Sequence, residues 1–408
     1  MNYILFEDNR HKNFKPFSLT HAIYEIRTGI FSNIQRVVNF MGEDDTLTLL
    51  VRDELTEVVR ERYPSYAVNP ERIPPGIWLN GSYFWSFDYV DKLEKSTQYH
   101  TAGGFLAAFV SGNAEKSGKF PNLENYYQET MQVEGLDFIW DAVHLAGKYI
   151  KQDDISSLNL SSIDNSGKGF KTDLDIGGHI HPSVICVKHK EIYIGEGCEI
   201  LAGVIMDASG GPIIIENNVK VDIGSMIKGP VYIGKGSTIN PGTKIRENVS
   251  IGPFCKIGGE VEDSVIHGYS NKQHDGFLGH SYVGMWVNLG ANTNTSDLKN
   301  NYGSIRINIE GEIIETGHKF LGLFIGDYSK AGISTMFNTG TYVGIGANIF
   351  GGDFQPKYIP SFSWGENDVT DLKKLLETCR VVKSRRGHSL TKSDIQLITY
   401  HYLLEKNC

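Results

Sequence analysis

What the chain has little of narrows it first. Its five cysteines (Cys186, Cys198, Cys255, Cys379 and Cys408) are odd in number and show no C-x-x-C spacing. They read as reduced thiols and exclude a disulfide frame or a cysteine-ligated zinc site. No run approaches the roughly 20 apolar residues of a membrane helix. The opening MNYILFEDNRHK also lacks a signal-peptide core, so a cytoplasmic location without a membrane partner is expected. Nor is there a surplus of positive charge: 39 basic against 48 acidic side chains give −9, which argues against a nucleic-acid partner. The 408 residues provide for two or three domains at roughly 150 residues each.

Glycine is what the chain has in excess, and 31 of its 45 glycines fall between positions 177 and 352. In the same stretch an aliphatic recurs every six residues, at Ile215, Val221, Ile227, Ile233, Ile239, Ile245, Ile251 and Ile257. Neither a helix nor a simple strand has that period. A six-residue repeat with one inward aliphatic fits a β-solenoid in which three short strands make one triangular coil of about 18 residues. Glycines such as Gly234 and Gly252 are expected to ease its corners. The phase returns at Val283 and Leu289, and again at Ile325, Ala331, Phe337, Val343 and Ile349. Segments 258–282 and 294–322 break it and are expected to be ejected loops, where function concentrates.

Before the solenoid, residues 2–6 read as a strand, followed by a basic loop from Glu7 to Thr20 and a helix carrying Ile23, Ile26, Ile30, Ile34, Val37, Val38 and Met41. A strand over 46–51, a helix over 52–63 and a strand over 77–79 continue an α/β alternation of Rossmann-like type. Ligands bind such sheets at the carboxyl ends of their strands, so Arg10, Lys12, Lys15 and Asn80 are candidates, with ordinary solvated charges as the alternative. The domains expected are 1–155, a Ser/Gly-rich linker over 156–170, the solenoid over 171–357, and a helical tail over 358–408. The tail helices are placed at 367–382 and 391–404, the second opened by a Thr391/Asp394 capping box.

Within the solenoid the segments Leu278-Gly279-His280-Ser281-Tyr282-Val283-Gly284, Val287-Asn288-Leu289-Gly290-Ala291 and His318-Lys319-Phe320 with Phe324-Ile325-Gly326 occur in that order. They resemble the acetyltransferase half of the bifunctional N-acetylglucosamine-1-phosphate uridylyltransferase and glucosamine-1-phosphate acetyltransferase family, over most of residues 180–355. The resemblance implies a left-handed parallel β-helix, a homotrimer, and a place in UDP-N-acetylglucosamine and cell-envelope biosynthesis. It implies acetyl transfer from acetyl-CoA to an amino-sugar phosphate, with His280 as general base. Tyr282, Asn288, Asp297, Lys299, Lys319 and Lys272 would stand at the sugar-phosphate and acetyl site, and Lys330, Arg385 and Arg386 near the acetyl-CoA phosphates. Imidazole chemistry agrees, because histidine titrates near neutral pH and can take the proton of an attacking amine. Three departures stand out. The step between the histidine motif and Asn288 is about one hexapeptide short, Asp297 replaces an asparagine, and the usual phosphate lysine has no counterpart.

The N-terminal part resembles sugar-1-phosphate nucleotidylyltransferases less closely. Leu5-Phe6-Glu7-Asp8-Asn9-Arg10-His11-Lys12 has none of the glycines that bring backbone N–H groups to nucleotide phosphates in that family. Lys15-Pro16-Phe17-Ser18-Leu19-Thr20 matches the segment that follows, and Arg27 stands for a later lysine. A nucleoside triphosphate would be the partner and Mg²⁺ a cofactor, although no aspartate pair is assignable to the metal and Asp88 is the lone suggestion. Two other readings stay open: a non-catalytic sugar-nucleotide-binding regulator, including an acyltransferase with a dead first domain, and a metal hydratase using His267, His274 and His280.

Overall fold

A computed structural model describes residues 1–406 except 113, 116–120, 122, 159 and 163–177. The apolar run at residues 2–6 forms the strand Asn2–Phe6, buried on both faces, as a central strand must be. Its parallel neighbours are Thr46–Leu50 and Gly76–Asn80. Gly104–Val110, Thr97–Thr101, Tyr127–Thr130 and Ala67–Val68 complete a seven-stranded sheet.

The helix expected from Ile23 to Met41 forms only over Asn33–Phe40. Before it the chain makes a 3-10 turn at Ile23–Glu25 and a tight hairpin pairing Arg27–Thr28 with Phe31–Ser32. Gly29 at the hairpin tip has φ +68°, and a Cβ there would lie 2.5 Å from Tyr149 Cβ. The aliphatics are buried, but they serve a turn packed on the solenoid. The first loop is also structured, as 3-10 helices Asn9–Phe14 and Phe17–Leu19.

The solenoid is built from three stacks of strands, ten, eleven and six strands tall, all parallel except Ser161–Ser162 at one end of the first and Asp368–Val369 at one end of the second. Ile215 lies opposite Ile233, and Ile233 opposite Ile251, the coil length that three six-residue steps require. All eight six-spaced aliphatics are inside it. Gly234 and Gly252 act differently from expectation: a Cβ at Gly252 would lie 1.9 Å from His267 O, and one at Gly234 2.8 Å from the Gly252 carbonyl carbon. They permit close approach of successive coils, while left-handed corners fall elsewhere, several on asparagines.

Segment 258–282 is not ejected. It makes shortened coils in which Lys256 pairs with Asn271, and Glu260 with Phe277. The hexapeptide phase fails there because the coil loses residues at its corners while its strands still pair. The second break is a true excursion. After Asn294–Thr295 the chain leaves the coil, forms the hairpin Arg306–Ile309 with Glu312–Glu315, and returns so that Tyr282 pairs with Phe324.

The N-terminal domain lies on the outer face of the ten-strand stack, where Phe17, Ile26 and Trp140 pack with Tyr282, Phe324 and Tyr342. The tail helices Leu372–Ser384 and Lys392–Lys406 pack against Trp286, Tyr328 and Phe362. The Thr391 and Asp394 side chains cap each other's amides at 3.1 and 3.0 Å. In the expected linker, Ile155–Leu158 is a 3-10 turn and Ser161–Ser162 pairs with Tyr193–Ile194; positions 159 and 163–170, like Cys408, lie outside the described residues. Among the described residues no helix is long and apolar enough to cross a membrane.

Candidate active site

Where the six-strand stack turns into the ten-strand stack, successive coils place one polar residue at the same corner. Asp263 and His280 both have left-handed backbone, φ +41° and +43°. Glu262 pairs with Gly279, so these corners stack. Asn248 donates to Asp263 at 2.8 Å from below, and Asp297, at the mouth of the excursion, lies above. The His280 Nδ1 is 2.8 Å from Asp297 Oδ2. A carboxylate only accepts, so Nδ1 carries the hydrogen, and in the neutral imidazole the lone pair is then on Nε2. Asp263 Oδ2 is 3.8 Å from that Nε2. The aspartate in place of asparagine thereby fixes the tautomer a general base needs.

Around this imidazole stand two residues of the His318-Lys319-Phe320 motif and one that the sequence did not single out. Phe320 stacks on His280 at 5.0 Å. His318 stacks on His144 at 4.0 Å, and the His144 ring is 6.0 Å from His280. His144 closes the N-terminal domain's helix Ile139–His144, so both domains reach one site. Desolvation pushes the His144 imidazole down to about 4, helped by His318 and His280, leaving it neutral at pH 7. Burial raises the Glu262 carboxyl against the opposing pull of Arg246. Donor atoms of Glu262, His280 and Asp297 lie within 4.8 Å of one another. The near-regular recurrence of a polar corner residue, from Asn248 through Asp263 and His280 to Asp297, is the sequence signal for this ladder. Nothing in the sequence signals His144.

The other candidates divide. Lys319 is exposed between His318 and Phe320, and Lys299 donates to the Ser304 carbonyl within the excursion. Tyr282 does not face the His280 imidazole: its hydroxyl accepts from the Arg27 amide at 3.2 Å and meets His267 Nδ1 at 3.1 Å, beneath the N-terminal domain. Lys272 does not line the His280 corner. It takes an aliphatic's place opposite Ile257, buried, and donates to the Gly258 and His274 carbonyls at 3.0 and 2.9 Å. Burial brings its amine down to about 8. Asn288 pairs with Lys330 and meets Asn271, which accepts from Arg386 at 2.8 Å. Arg385 follows the tail helix and is exposed. Asn288, Lys330 and Arg386 sit past the opposite end of strand Tyr282–Met285 from His280, around the next corner of the coil. His267 and His274 do not join His280 in a ligand cluster among the described residues.

At the carboxyl ends of the N-terminal strands, Arg10 and Asn80 do converge. Arg10 binds Asp8 at 2.8 Å, Ser82 Oγ at 2.6 Å and Asp137 at 3.2 Å. Asn80 donates to Asp8 at 2.8 Å. Lys12 is exposed, and Lys15 instead bridges to Glu310 on the excursion hairpin. Arg27 is buried at the junction, its guanidinium 5.5 Å from the Tyr232 ring and donating to the Ile30 carbonyl. Asp88 is on the short helix Phe87–Val90, exposed. As arranged, Asp8 and Asp137 do not fit Mg²⁺, because the Arg10 guanidinium already occupies the space between the two carboxylates.

Comparison with known proteins follows the same division. Residues 3–158 match a family described as "Sugar nucleotidyl transferase", and residues 212–247 match "Bacterial transferase hexapeptide (six repeats)". A "Bifunctional sugar-1-phosphate nucleotidylyltransferase/acetyltransferase" from Sulfurisphaera tokodaii is 36% identical over 144 residues, covering 35% of this chain and 36% of that protein. A "Bifunctional protein GlmU" from Thermodesulfovibrio yellowstonii is 30% identical over 175 residues, covering 42% and 34%. Its namesake from Wigglesworthia glossinidia brevipalpis is 26% identical over 292 residues, covering 69% and 58%. The first two matches span about a third of those relatives' lengths.

Proposed function

We propose that this chain, in which a sugar nucleotidyltransferase-family domain leans on a hexapeptide β-helix, is a two-site transferase of sugar-nucleotide synthesis whose acetyl-transfer site is centred on His280. The observation carrying this reading is the His280–Asp297 pair, with Nε2 left as the free base. An amino-sugar phosphate would present its neutral amine to the acetyl-CoA thioester carbonyl. As nitrogen attacks, Nε2 takes its proton, and Asp297 steadies the imidazolium charge through Nδ1–H. Collapse of the tetrahedral centre expels the coenzyme A thiolate, which recovers that proton. Acetyl-CoA supplies only the acyl group. Exposed Lys319 and Phe320 would receive the sugar phosphate.

A homotrimer is part of this reading. The basic group of Lys330, Arg385 and Arg386 is too far from His280 to share one substrate comfortably within a chain, whereas a neighbouring copy could bring it to the coenzyme's phosphates. Arg10, with Asn80 behind it, would meet the nucleoside triphosphate in the other site after releasing Asp137. A thiol-release assay with acetyl-CoA and glucosamine 1-phosphate tests the first site. Turnover in the parent that is lost in a folded His280→Ala supports the reading, and unchanged turnover removes His280 from the chemistry. Pyrophosphate release from UTP and N-acetylglucosamine 1-phosphate tests the second, and binding without turnover would favour a sugar-nucleotide-binding regulator.

A metal-binding reading is favoured by one observation, the Glu262, His280 and Asp297 donors within 4.8 Å of one another. Metal analysis of the purified protein decides it: stoichiometric zinc lost in Glu262→Gln would displace the general-base role.

A further inference from the structure

The junction of N-terminal domain, solenoid and tail forms a half-open cavity of about 610 Å³, well within the range of small-molecule sites and at the far end of strand Tyr282–Met285 from His280. Three of its carboxylates are already used. Glu25 takes bonds from Arg62 and the Ala22 amide. Asp327 takes them from Thr20, His21 and the Met285 amide. Asp394 is held by Lys383 and the Thr391 amide.

Three other donors are not used in this way. Trp286 and Tyr328 are 6% and 7% exposed, line the cavity, and have no side-chain hydrogen bond among the described residues. His267 adds a third donor. Its Nδ1 lies 3.1 Å from the Tyr282 hydroxyl, and in the tautomer in which Nδ1 accepts the hydroxyl hydrogen, Nε2–H is left for the cavity. These side chains line the cavity and none of their donor atoms is both sealed and unpartnered, so an occupant that displaces water from them should bring acceptor oxygens.

Two further features narrow that occupant. The cations Arg62 and Lys383 are each paired with a carboxylate, so neither offers a free positive charge to a phosphate. The indole has no open face for a heterocycle, with Tyr269 stacked on it at 4.5 Å and the Lys383 ammonium 5.8 Å from its centroid. We infer that this cavity is a binding site for an uncharged, hydroxyl- or carbonyl-rich molecule of monosaccharide size, held by Trp286 Nε1, Tyr328 O–H and His267 Nε2. Three separate segments wall it, so its ligand would tie the tail to both domains.

Titration calorimetry on the full chain with N-acetylglucosamine and glucose, and with glucose 1-phosphate as the charged control, tests this. Saturable binding of a neutral sugar is expected, weakened at least tenfold in Trp286→Phe and Tyr328→Phe, which keep their rings, and unchanged in His280→Ala. No neutral-sugar binding, binding indifferent to both ring-preserving variants, or tighter binding of the phosphate ester would overturn it. Loss in His280→Ala would also overturn it by locating the sugar at the proposed acetyl site. The acetyl-transfer reading stands or falls separately, on thiol release.

Discussion

Two clusters of charge in this molecule are built on opposite plans. At the strand ends of the N-terminal domain, Arg10 is wrapped by Asp8, Ser82, Tyr83 and Asp137, and Asn80 completes the cage. At the solenoid corner, His280 is bonded through Nδ1 to Asp297, while its Nε2 makes no hydrogen bond among the described residues, with Asp263 3.8 Å away and exposed Phe320 and Lys319 beside it. A cluster that satisfies itself is stable and must be broken to bind. One that fixes an orientation while leaving a lone pair free is prepared for chemistry.

The largest effect should come from breaking the open cluster. Asp297→Asn removes the charge that would steady the imidazolium and offers Nδ1 an amide donor as well as an acceptor, so the tautomer is no longer fixed. Acetyl-transfer kcat should fall about 10²–10⁴-fold, as in His280→Ala, with little change in urea unfolding. Retention of kcat in Asp297→Asn would mean the tautomer is set by something else.

Lys272 is the buried charge with neither plan, an ammonium among carbonyls. Its pKa falls from 10.5 to about 8 on burial, so the unfolded chain binds the proton more tightly. The resulting penalty, about 3 kcal/mol at 1.36 kcal/mol per unit, is full below pH 8 and is relieved as pH rises toward 10.5. Lys272→Met should raise stability at pH 7 and remove that rise, as read by urea unfolding across pH 7–10.

In the closed cluster, Arg10→Ala should cost about 1–3 kcal/mol by stranding the partly buried Asp8, and abolish pyrophosphate release without touching thiol release. Loss of both activities together would mean the two sites are coupled through Asp137 and the helix that ends at His144. The smallest change tests placement alone. A Cβ at Gly279 would lie 2.4 Å from Asp297 Oδ2, so Gly279→Ala should displace the carboxylate and lower acetyl-transfer kcat by about tenfold, near 1.4 kcal/mol.

Much of this is legible in the sequence. The six-residue aliphatic period specifies a stacked coil, and the ordered motifs point to His280. Asp297 is visible as a departure, but its meaning depends on the hydrogen bond it accepts from His280 Nδ1. Tyr282 and Lys272 lie away from their expected site because residues beside a motif can face either side of a coil wall: one is taken by the docked domain, the other turns inward. The Ile23–Met41 spacing mimics a helix because hairpin residues packed against a solenoid are also apolar at short intervals.

By itself the sequence determined the coil, since burying one aliphatic at each sixth position is a local, repetitive preference that every coil satisfies against its neighbours. Only the tertiary structure decided which polar groups meet. Shortened coils brought Asp263, His280 and Asp297 to one edge, and the N-terminal domain's docking added His144 from more than a hundred residues away. Such convergence depends on chain closure and rigid-body packing, which no short-range pattern encodes.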